Sequence, residues 1–271
     1  EDEGWNVLHA IVDCVWIENQ NLECREEKIE KALLLSRKIS KKIGIPLEFE
    51  DIYDFIAFLP SRIHGAGSLT KYWAYGKNGF KLRGIEARQH STCSWIKELQ
   101  QTALESIRDH VQQGGGCNSI SIQEKIVKMA HEEIKRVHSN KIDLQKLVIT
   151  KRVAKRIEDF SVSTRTQNAL IRARRIGQDI LPGRKVRYVA TKPFSNLPES
   201  KVILSEELNR NMKIQIDFQY YENLAIRAIW AILGPFGWSD EEIKLENVLK
   251  LATYNNLYRL QSKIEKIEFS D

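Results

Sequence analysis

The chain has 271 residues, of which 42% are hydrophobic, with 9 Phe, 8 Tyr and 6 Trp. This composition excludes a disordered chain and predicts a folded protein with a substantial core. No apolar stretch reaches the roughly 18 residues of a membrane span and no signal peptide stands at the start, so we expect a cytoplasmic protein without membrane contact. The first residue is Glu1 rather than Met, which suggests that an N-terminal portion precedes it.

A single acidic residue, Asp13, interrupts an apolar run near the start of the chain. The run extends over residues 5–17, is rich in β-branched and aromatic side chains and is preceded by Gly4, which predicts one buried strand. A buried carboxylate needs a cation or hydrogen bonds, because its desolvation is costly. Backbone N–H groups can satisfy Asp13 in such a strand, or Asp13 can be a metal ligand, and the run alone leaves both open.

The rest of the first third alternates between helical and extended patterns. Apolar residues at helical spacing predict a helix over residues 25–43, ended by Gly44 and Pro46. Extended stretches follow at 47–59, 69–75 and 80–87, and Asn78-Gly79 between the last two predicts a hairpin. The pattern of this third therefore predicts an α+β domain with an antiparallel sheet and a helix.

After Ser91 the sequence becomes mostly helical. Amphipathic stretches predict helices at residues 94–113, 121–138, 164–175, 218–233 and 240–266. The predicted fold class is α+β, with a sheet-containing domain at 1–92 followed by a mostly helical domain at 93–271. The glycines at 114–116 are predicted to form a loop between two helices. This loop is not a phosphate-binding loop, because the Lys-Ser/Thr pair of that motif does not follow the glycines.

Metal-binding clusters of Cys and His are not evident. The four cysteines are scattered without a C-x-x-C pair, which argues against zinc and iron–sulfur sites. His131 and His138 are seven residues apart in a predicted helix and can share a face. Two histidines without a third ligand are more often ordinary surface residues.

Positive charge is concentrated in one part of the chain. The net charge is +6, yet residues 146–192 hold 13 Lys and Arg against three acids. The pairs Lys151-Arg152 and Lys155-Arg156 are four residues apart, which predicts a helix with both pairs on one side and Val153 facing inward. Three more arginines, at 172, 174 and 175, follow in the next predicted helix. Such an excess favours a polyanion such as nucleic acid, with phosphate contacts, over a merely solvated surface.

Six short motifs follow one another along the chain. They are the Asp13 run, Thr70-Lys71-Tyr72-Trp73, Arg83-Gly84-Ile85-Glu86, Lys146-Leu147-Val148-Ile149, Pro182-Gly183 before an apolar strand, and Asp217-Phe218-Gln219-Tyr220-Tyr221. In this order they resemble the palm and thumb at the C-terminal end of archaeal family B DNA polymerases. The resemblance implies a palm at 1–92 and a thumb at 93–271, acting in DNA replication or repair beside the nucleoid.

The resemblance also implies roles for individual residues. Asp13 would be a catalytic metal ligand for Mg²⁺, and the partners would be primer–template DNA, a deoxynucleoside triphosphate and an N-terminal polymerase region or subunit. Such ions activate the primer hydroxyl and neutralise triphosphate charge. The residues implied to bind DNA are Lys71, Tyr72, Arg83, Lys151, Arg152, Lys155, Arg156, Thr164, Arg165, Arg172 and Arg175. For Arg83 an ion pair with Glu86 is an equal alternative, and the tryptophans are expected in cores.

One departure from the family pattern concerns catalysis. Where the family has Asp-Thr-Asp-Ser, this chain has Ile11-Val12-Asp13-Cys14, so the first acid is absent. Three hypotheses follow: a polymerase portion that contributes one metal ligand, an inactivated paralogue that binds DNA as a structural or regulatory factor, and an unrelated RNA-binding protein. The absence of aromatic recognition strands disfavours the third.

Overall fold

The computed structural model describes residues 4–11, 14–22, 24–61, 65–192, 196–209 and 214–244. The chain divides into two units, Glu1–Gly84 and Ile85–Asp271. Both units contain helices and antiparallel strands, so the predicted α+β class is confirmed. The assignment of 1–92 as palm and 93–271 as thumb stays a prediction.

The first unit consists of a β-hairpin, one long helix and a three-stranded sheet. Its elements are β1 (Asn6–Ile11), β2 (Cys14–Glu18), α1 (Arg25–Ile43), β3 (Tyr53–Pro60), β4 (Gly67–Gly76) and β5 (Gly79–Arg83). β1 pairs with β2, and β3, β4 and β5 pair in that order, with all neighbours antiparallel. The sheet therefore has the antiparallel arrangement that the hairpin pattern predicted.

The predicted single buried strand over residues 5–17 is wrong. Ile11 pairs with Cys14, so two short strands run antiparallel on either side of residues 12 and 13. The hairpin is also not buried, because Val7, Leu8 and Val15 are exposed. Asp13 itself lies outside the described residues. The described strand positions on either side of residues 12 and 13 are therefore not the buried surroundings that the apolar run predicted.

Two local predictions in the first unit are confirmed. α1 has the predicted bounds and ends at Gly44, whose φ of 71° lets its N–H donate to the Ser40 carbonyl. β4 and β5 form the predicted hairpin, with Gly76 paired to Gly79. The two loop residues are 77 and 78, and Gly79, with φ of 94°, adopts the left-handed conformation that favours glycine.

The core of the first unit centres on β4. Tyr72, Trp73 and Ala74 are each no more than 1% exposed. Tyr72 also contacts the hairpin, since its ring lies edge-on to Trp16 with centroids 5.3 Å apart. Packing of aromatic rings therefore holds the two sheets of this unit together.

The second unit combines a helical layer with a second three-stranded sheet. Its elements are α2 (Ser94–Gln112), α3 (Ile120–His138), β6 (Ile149–Arg152), α4 (Arg165–Arg175), β7 (Lys185–Ala190), β8 (Val202–Leu204), α5 (Phe218–Leu233) and α6 (Asp240–Lys244). The predicted helices α2 to α5 are confirmed to within one residue at each end. The predicted continuation of α6 over residues 245–266 lies outside the described residues.

The helical layer of the second unit is built from α2, α3 and α5, which pack against one another. Each presents buried residues at helical spacing, such as Leu99, Ala103 and Ile107 of α2. Buried Gln100 is satisfied, because its amide donates to the Ala228 carbonyl at 2.8 Å. Trp95 is 2% exposed, in line with the expectation that tryptophans lie in cores.

The predicted helix through the basic pairs at 151–157 is wrong. Residues 149–152 form β6, which pairs with β7 at the centre of the second sheet, and β7 pairs in turn with β8. Val153 extends the pairing, since its N–H donates to the Arg184 carbonyl and its carbonyl accepts from the Gly183 N–H. The β-branched residues Ile149, Thr150 and Val153 suit a strand better than a helix once a partner strand is available.

Candidate nucleic-acid interface

The approach to β7 is fixed by a tight turn. The Arg184 N–H donates to the Leu181 carbonyl at 3.1 Å, which closes a four-residue turn with Pro182 and Gly183 at its centre. Gly183 has a φ of 88°, as the third position of a type II turn requires. The Pro-Gly motif therefore turns the chain so that β7 starts directly beside the end of β6.

The pairing register brings cationic side chains together on one face of this strand pair. Arg152 lies opposite Lys185, and Thr150 lies opposite Arg187. Since side chains alternate across a sheet, these four residues share one face. Arg152, Lys185 and Arg187 are exposed there. We call Thr150, Arg152, Lys185 and Arg187 the basic sheet face.

The opposite face of the strand pair belongs to the core. Ile149, Val186 and Tyr188 are each no more than 2% exposed. Burial raises the pKa of the Tyr188 hydroxyl to about 12. The strands are therefore anchored from one side, and their backbones hold the basic sheet face at a fixed spacing.

The cations of the basic sheet face are not neutralised within the described part of the chain. No described carboxylate lies within 4.0 Å of the charged groups of Arg152, Lys185 or Arg187, and the same holds for the neighbouring Arg184 and Arg156. The ammonium of Lys155 makes a cation–π contact instead, 4.8 Å from the centre of the Phe160 ring. The face therefore presents uncompensated positive charge to solvent.

The arginines of α4 are in a different position. Arg172 forms a two-bond ion pair with Glu207, at 2.5 and 2.9 Å, and also donates to the Glu199 carbonyl. Its side chain is only 18% exposed. Burial raises the pKa of the Glu207 carboxyl, but the hydrogen bonds from Arg172 and from the Leu204 N–H and the charge of Arg172 together outweigh it, so the net shift is downward. Arg172 thus serves an internal partner.

The other two basic residues near the end of α4 are also paired. Arg175 donates to a Glu199 carboxylate oxygen at 2.8 Å. Arg174 donates to Glu158 at 2.8 Å and lies 3.8 Å from Asp179. The helix that the sequence suggested as a DNA grip is therefore largely charge-compensated by its own unit.

The start of α4 is tied to the start of α5. Arg165 donates to Asp217 at 2.6 Å and lies over the Tyr220 ring at 3.9 Å. Asp217 also caps α5 by accepting from the Tyr220 N–H. Thr164 caps α4 by accepting from the Gln167 N–H. The predicted DNA contacts Thr164 and Arg165 thus both have structural roles here.

The second tyrosine of the Asp-x-x-Tyr-Tyr motif supports the basic sheet face. The buried Tyr221 hydroxyl donates to the Leu147 carbonyl at 2.8 Å and accepts from the Ala190 N–H at 3.0 Å. Leu147 precedes β6 and Ala190 ends β7, so one side chain of α5 holds both strands. Burial raises the pKa of Tyr221 well above its usual range, which keeps this hydroxyl protonated.

In the first unit, the three predicted DNA contacts differ in exposure. Lys71 and Arg83 are exposed on β4 and β5. Tyr72 is buried, with its ring against Trp16 and Phe58, so it offers no free surface for a base or a phosphate. Glu86, the alternative partner suggested for Arg83, accepts a hydrogen bond from Gln100.

The described residues do not assemble a Mg²⁺ site. Among them, no group of three His, Cys, Asp or Glu side chains is arranged to hold a metal ion. His131 is hydrogen-bonded to the Ile243 carbonyl and His138 lies 3.5 Å from Glu222, so both have protein partners. Ile11 and Cys14, which flank residues 12 and 13, carry no side-chain oxygen.

Three cations at the start of β7, Arg184, Lys185 and Arg187, were not among the predicted DNA contacts. They belong to the basic segment and to the strand expected after the Pro-Gly turn, but no role was assigned to them. The sequence did hold a usable pattern, because Lys185 and Arg187 alternate with Val186 and Tyr188 immediately after a Pro-Gly turn. That alternation predicts a strand with one cationic face.

The fold and the sequence together define the class of protein to which this chain belongs. The model of DNA polymerase family B matches residues 12–235, which is more than half of the chain and spans both units. The chain belongs to DNA polymerase family B.

Individual relatives are archaeal DNA polymerases. The chain is 24% identical over 256 residues to a DNA polymerase of Pyrococcus horikoshii, covering 93% of this chain and 19% of the relative. It is 23% identical, with 93% and 30% covered, to a DNA polymerase of Thermococcus sp. strain 9oN-7. The chain spans between 8% and 30% of the length of the curated relatives that it matches.

A solved structure shares the fold. The family B DNA polymerase from Pyrobaculum calidifontis superposes with a TM-score of 0.59 at 18% identity, covering 87% of this chain and 27% of that one. A search of the described helices found none both long enough and apolar enough to span a membrane.

Proposed function

We propose that this chain is the palm and thumb portion of a family B DNA polymerase. In this role it binds primer–template DNA and contributes Asp13 as one metal-binding carboxylate to nucleotidyl transfer, in replication or repair. The observation that carries the proposal is the continuous family match over residues 12–235, which includes Asp13 and both structural units. The exposed cations of the second unit are consistent with a polyanionic substrate.

The proposal requires a larger assembly. Since the described residues do not assemble a Mg²⁺ site, the other ligands of a metal ion held by Asp13 would come from an N-terminal polymerase region or subunit. That region would also contribute to binding the deoxynucleoside triphosphate. The chain covers only 30% of the DNA polymerase of Thermococcus sp. strain 9oN-7, which leaves room for such a region in that relative.

DNA contacts are proposed for the cations that are exposed. In the first unit these are Lys71 and Arg83, and in the second they include Arg152 and Arg156. Lys151 and Lys155 are also proposed, although both are only partly exposed and Lys151 lies opposite Val186, on the other face of the strand pair from Arg152. Contacts of this kind go to phosphates and supply affinity without sequence preference. Arg165, Arg172 and Arg175, which have ion-pair partners, would need to exchange a carboxylate for a phosphate to join them.

Primer extension tests the catalytic part of this proposal. The complete protein that carries this chain would be given Mg²⁺, primer–template DNA and all four deoxynucleoside triphosphates, beside its Asp13→Ala variant. We expect extension by the parent and a loss of at least about a hundredfold in the variant, since the carboxylate would hold the metal directly. Glu48→Ala, which removes an exposed carboxylate from the same unit, should extend like the parent.

The outcomes separate the two functional hypotheses. Equal extension by the parent and Asp13→Ala would show that Asp13 is not a ligand. If the parent binds primer–template DNA in a fluorescence-anisotropy titration but does not extend it, the chain is an inactive DNA-binding paralogue. If it does neither, the proposal as a whole is wrong.

A further inference from the structure

We propose that the basic sheet face, rather than helix α4, is the surface through which the second unit holds the phosphate backbone of duplex DNA. This inference rests on the proposed DNA-binding function and deepens it by assigning the surface. The assignment of the surface comes from the pairing register of β6 and β7, which no single sequence motif predicts.

The cations of the basic sheet face are closely spaced. Arg152 and Lys185 are directly opposed, which separates their Cβ atoms by about 5 Å. Arg187 lies two residues further along β7, about 7 Å away along the strand. Three cationic groups on long side chains thus cover a short, rigid row, and several of them can contact successive phosphates of one backbone.

The cations of the basic sheet face are free to bind phosphate, whereas those of α4 are already paired with carboxylates. A cation that already bonds a carboxylate must give up that bond before it can take a phosphate. Arg172 would abandon two bonds to Glu207 and leave this half-buried carboxylate unpaired, which is costly. The cations of the basic sheet face have no described carboxylate partner to lose. Phosphate binding therefore favours the sheet over the helix.

The side chains of the basic sheet face suit phosphates better than bases. The face carries two guanidinium groups, one ammonium and one hydroxyl, and it has no aromatic side chain on which an unpaired base can stack. Single-stranded nucleic acid is usually held on aromatic platforms. The chemistry of the face suits backbone contacts that do not depend on base sequence.

A charge-matched comparison tests the assignment in the complete protein that carries this chain. The face variant replaces Arg152, Lys185 and Arg187 by Ala. The control variant replaces Lys125, Lys128 and Lys141 by Ala. These three lysines are exposed in the same unit, so the control removes the same charge. Binding to a fluorescent primer–template duplex is measured from 50 to 200 mM salt, with unfolding midpoints to show that both variants fold.

We expect the face variant to bind at least about tenfold more weakly at 50 mM salt, with the slope of log K against log salt flattened by about 2.7, or 0.9 for each phosphate contact. The loss should be the same on two duplexes of unrelated sequence. The control should keep the parent slope. A variant with Arg152→Lys and Arg187→Lys, which keeps the charge, should retain most of the slope.

Each other result overturns a specific statement. If the parent shows no duplex binding at any salt concentration, the proposed DNA-binding function fails, and this inference fails with it. If the parent binds and the face variant keeps the parent slope, the function survives and the assignment of the surface is wrong. Equal losses in the face and control variants would mean that net charge, rather than this face, governs binding. A loss confined to single strands or to one duplex sequence would contradict backbone binding.

Discussion

Helix α4 and the β6–β7 strand pair come from the same basic segment of the chain, yet their cations are used differently. On α4, Arg172 and Arg175 meet Glu207 and Glu199, which follow later in the chain. On the strand pair, Arg152 and Lys185 meet each other across the ladder. A count of positive residues therefore does not give the charge that is available to a ligand. Folding pairs the arginines of α4 with carboxylates and leaves the cations of the strand pair exposed.

The largest effect is expected when the support of the strand pair is removed. Tyr221→Ala deletes a buried ring and the hydroxyl that holds Leu147 and Ala190, so the free energy of unfolding should fall by about 3–5 kcal/mol. Tyr221→Phe keeps the ring and should lose about 1–3 kcal/mol, because two backbone groups lose their partner. Chemical denaturation measures both values. Equal stability of Tyr221→Phe and the parent would show that the hydroxyl bonds contribute nothing.

The next effect separates structural arginines from binding arginines. Arg172→Ala should lower the free energy of unfolding by about 1–3 kcal/mol, because it leaves Glu207 half-buried without its cation. It should leave the salt dependence of DNA binding unchanged. Arg187→Ala should leave the free energy of unfolding unchanged and flatten the salt dependence of DNA binding. If Arg172→Ala flattens the salt dependence of DNA binding as much as Arg187→Ala does, α4 and the strand pair do not differ in DNA binding.

The pH dependence of stability tests the structural role of the ion pair between Arg172 and Glu207. The pKa of Glu207 in the folded protein is below its ordinary value of 4.5, so its pair with Arg172 stabilises fully above that value and is lost as the pH falls through the lower, folded pKa. The stability difference between the parent and Glu207→Gln should therefore be constant above pH 4.5 and shrink below it. Thermal unfolding from pH 3 to pH 7 checks this. A difference that grows on acidification would refute the assigned pair.

The smallest effect is expected at the exposed end of α4. Arg174 and Glu158 are more than half exposed, and ion pairs of this kind contribute little. Arg174→Ala should change neither the unfolding midpoint nor the salt slope of DNA binding measurably. A flattening of the slope comparable to that of Arg187→Ala would show that α4 also faces the DNA.

Prediction from the sequence succeeded where the deciding information is local. The bounds of α1 follow from its apolar spacing and from Gly44, and the β4–β5 hairpin follows from the Asn78-Gly79 pair. The hairpin of β1 and β2 was missed because Val12 and Asp13, which join its strands, include neither Gly nor Pro, and because apolar residues occupy both faces.

Where the deciding partner is distant, the sequence misled. Basic pairs four residues apart fit a helix, and only β7, about 30 residues later, shows that Lys151 and Arg152 belong to a strand. The ion pair between Arg172 and Glu207 joins residues 35 apart. No local pattern indicates which arginine of a basic segment has an acidic partner, so the candidate site was predicted as a segment rather than as a surface.

The Tyr221 hydroxyl has a consequence for the order of folding. Its bonds to Leu147 and Ala190 close loops of 74 and 31 residues, and the chain entropy of both loops must be overcome before the bonds form. The strand pair can therefore reach its final stability only after α5 has docked. During synthesis, a nascent chain that ends before α5 would carry all the cations of the basic sheet face without the side chain that locks their strands in register.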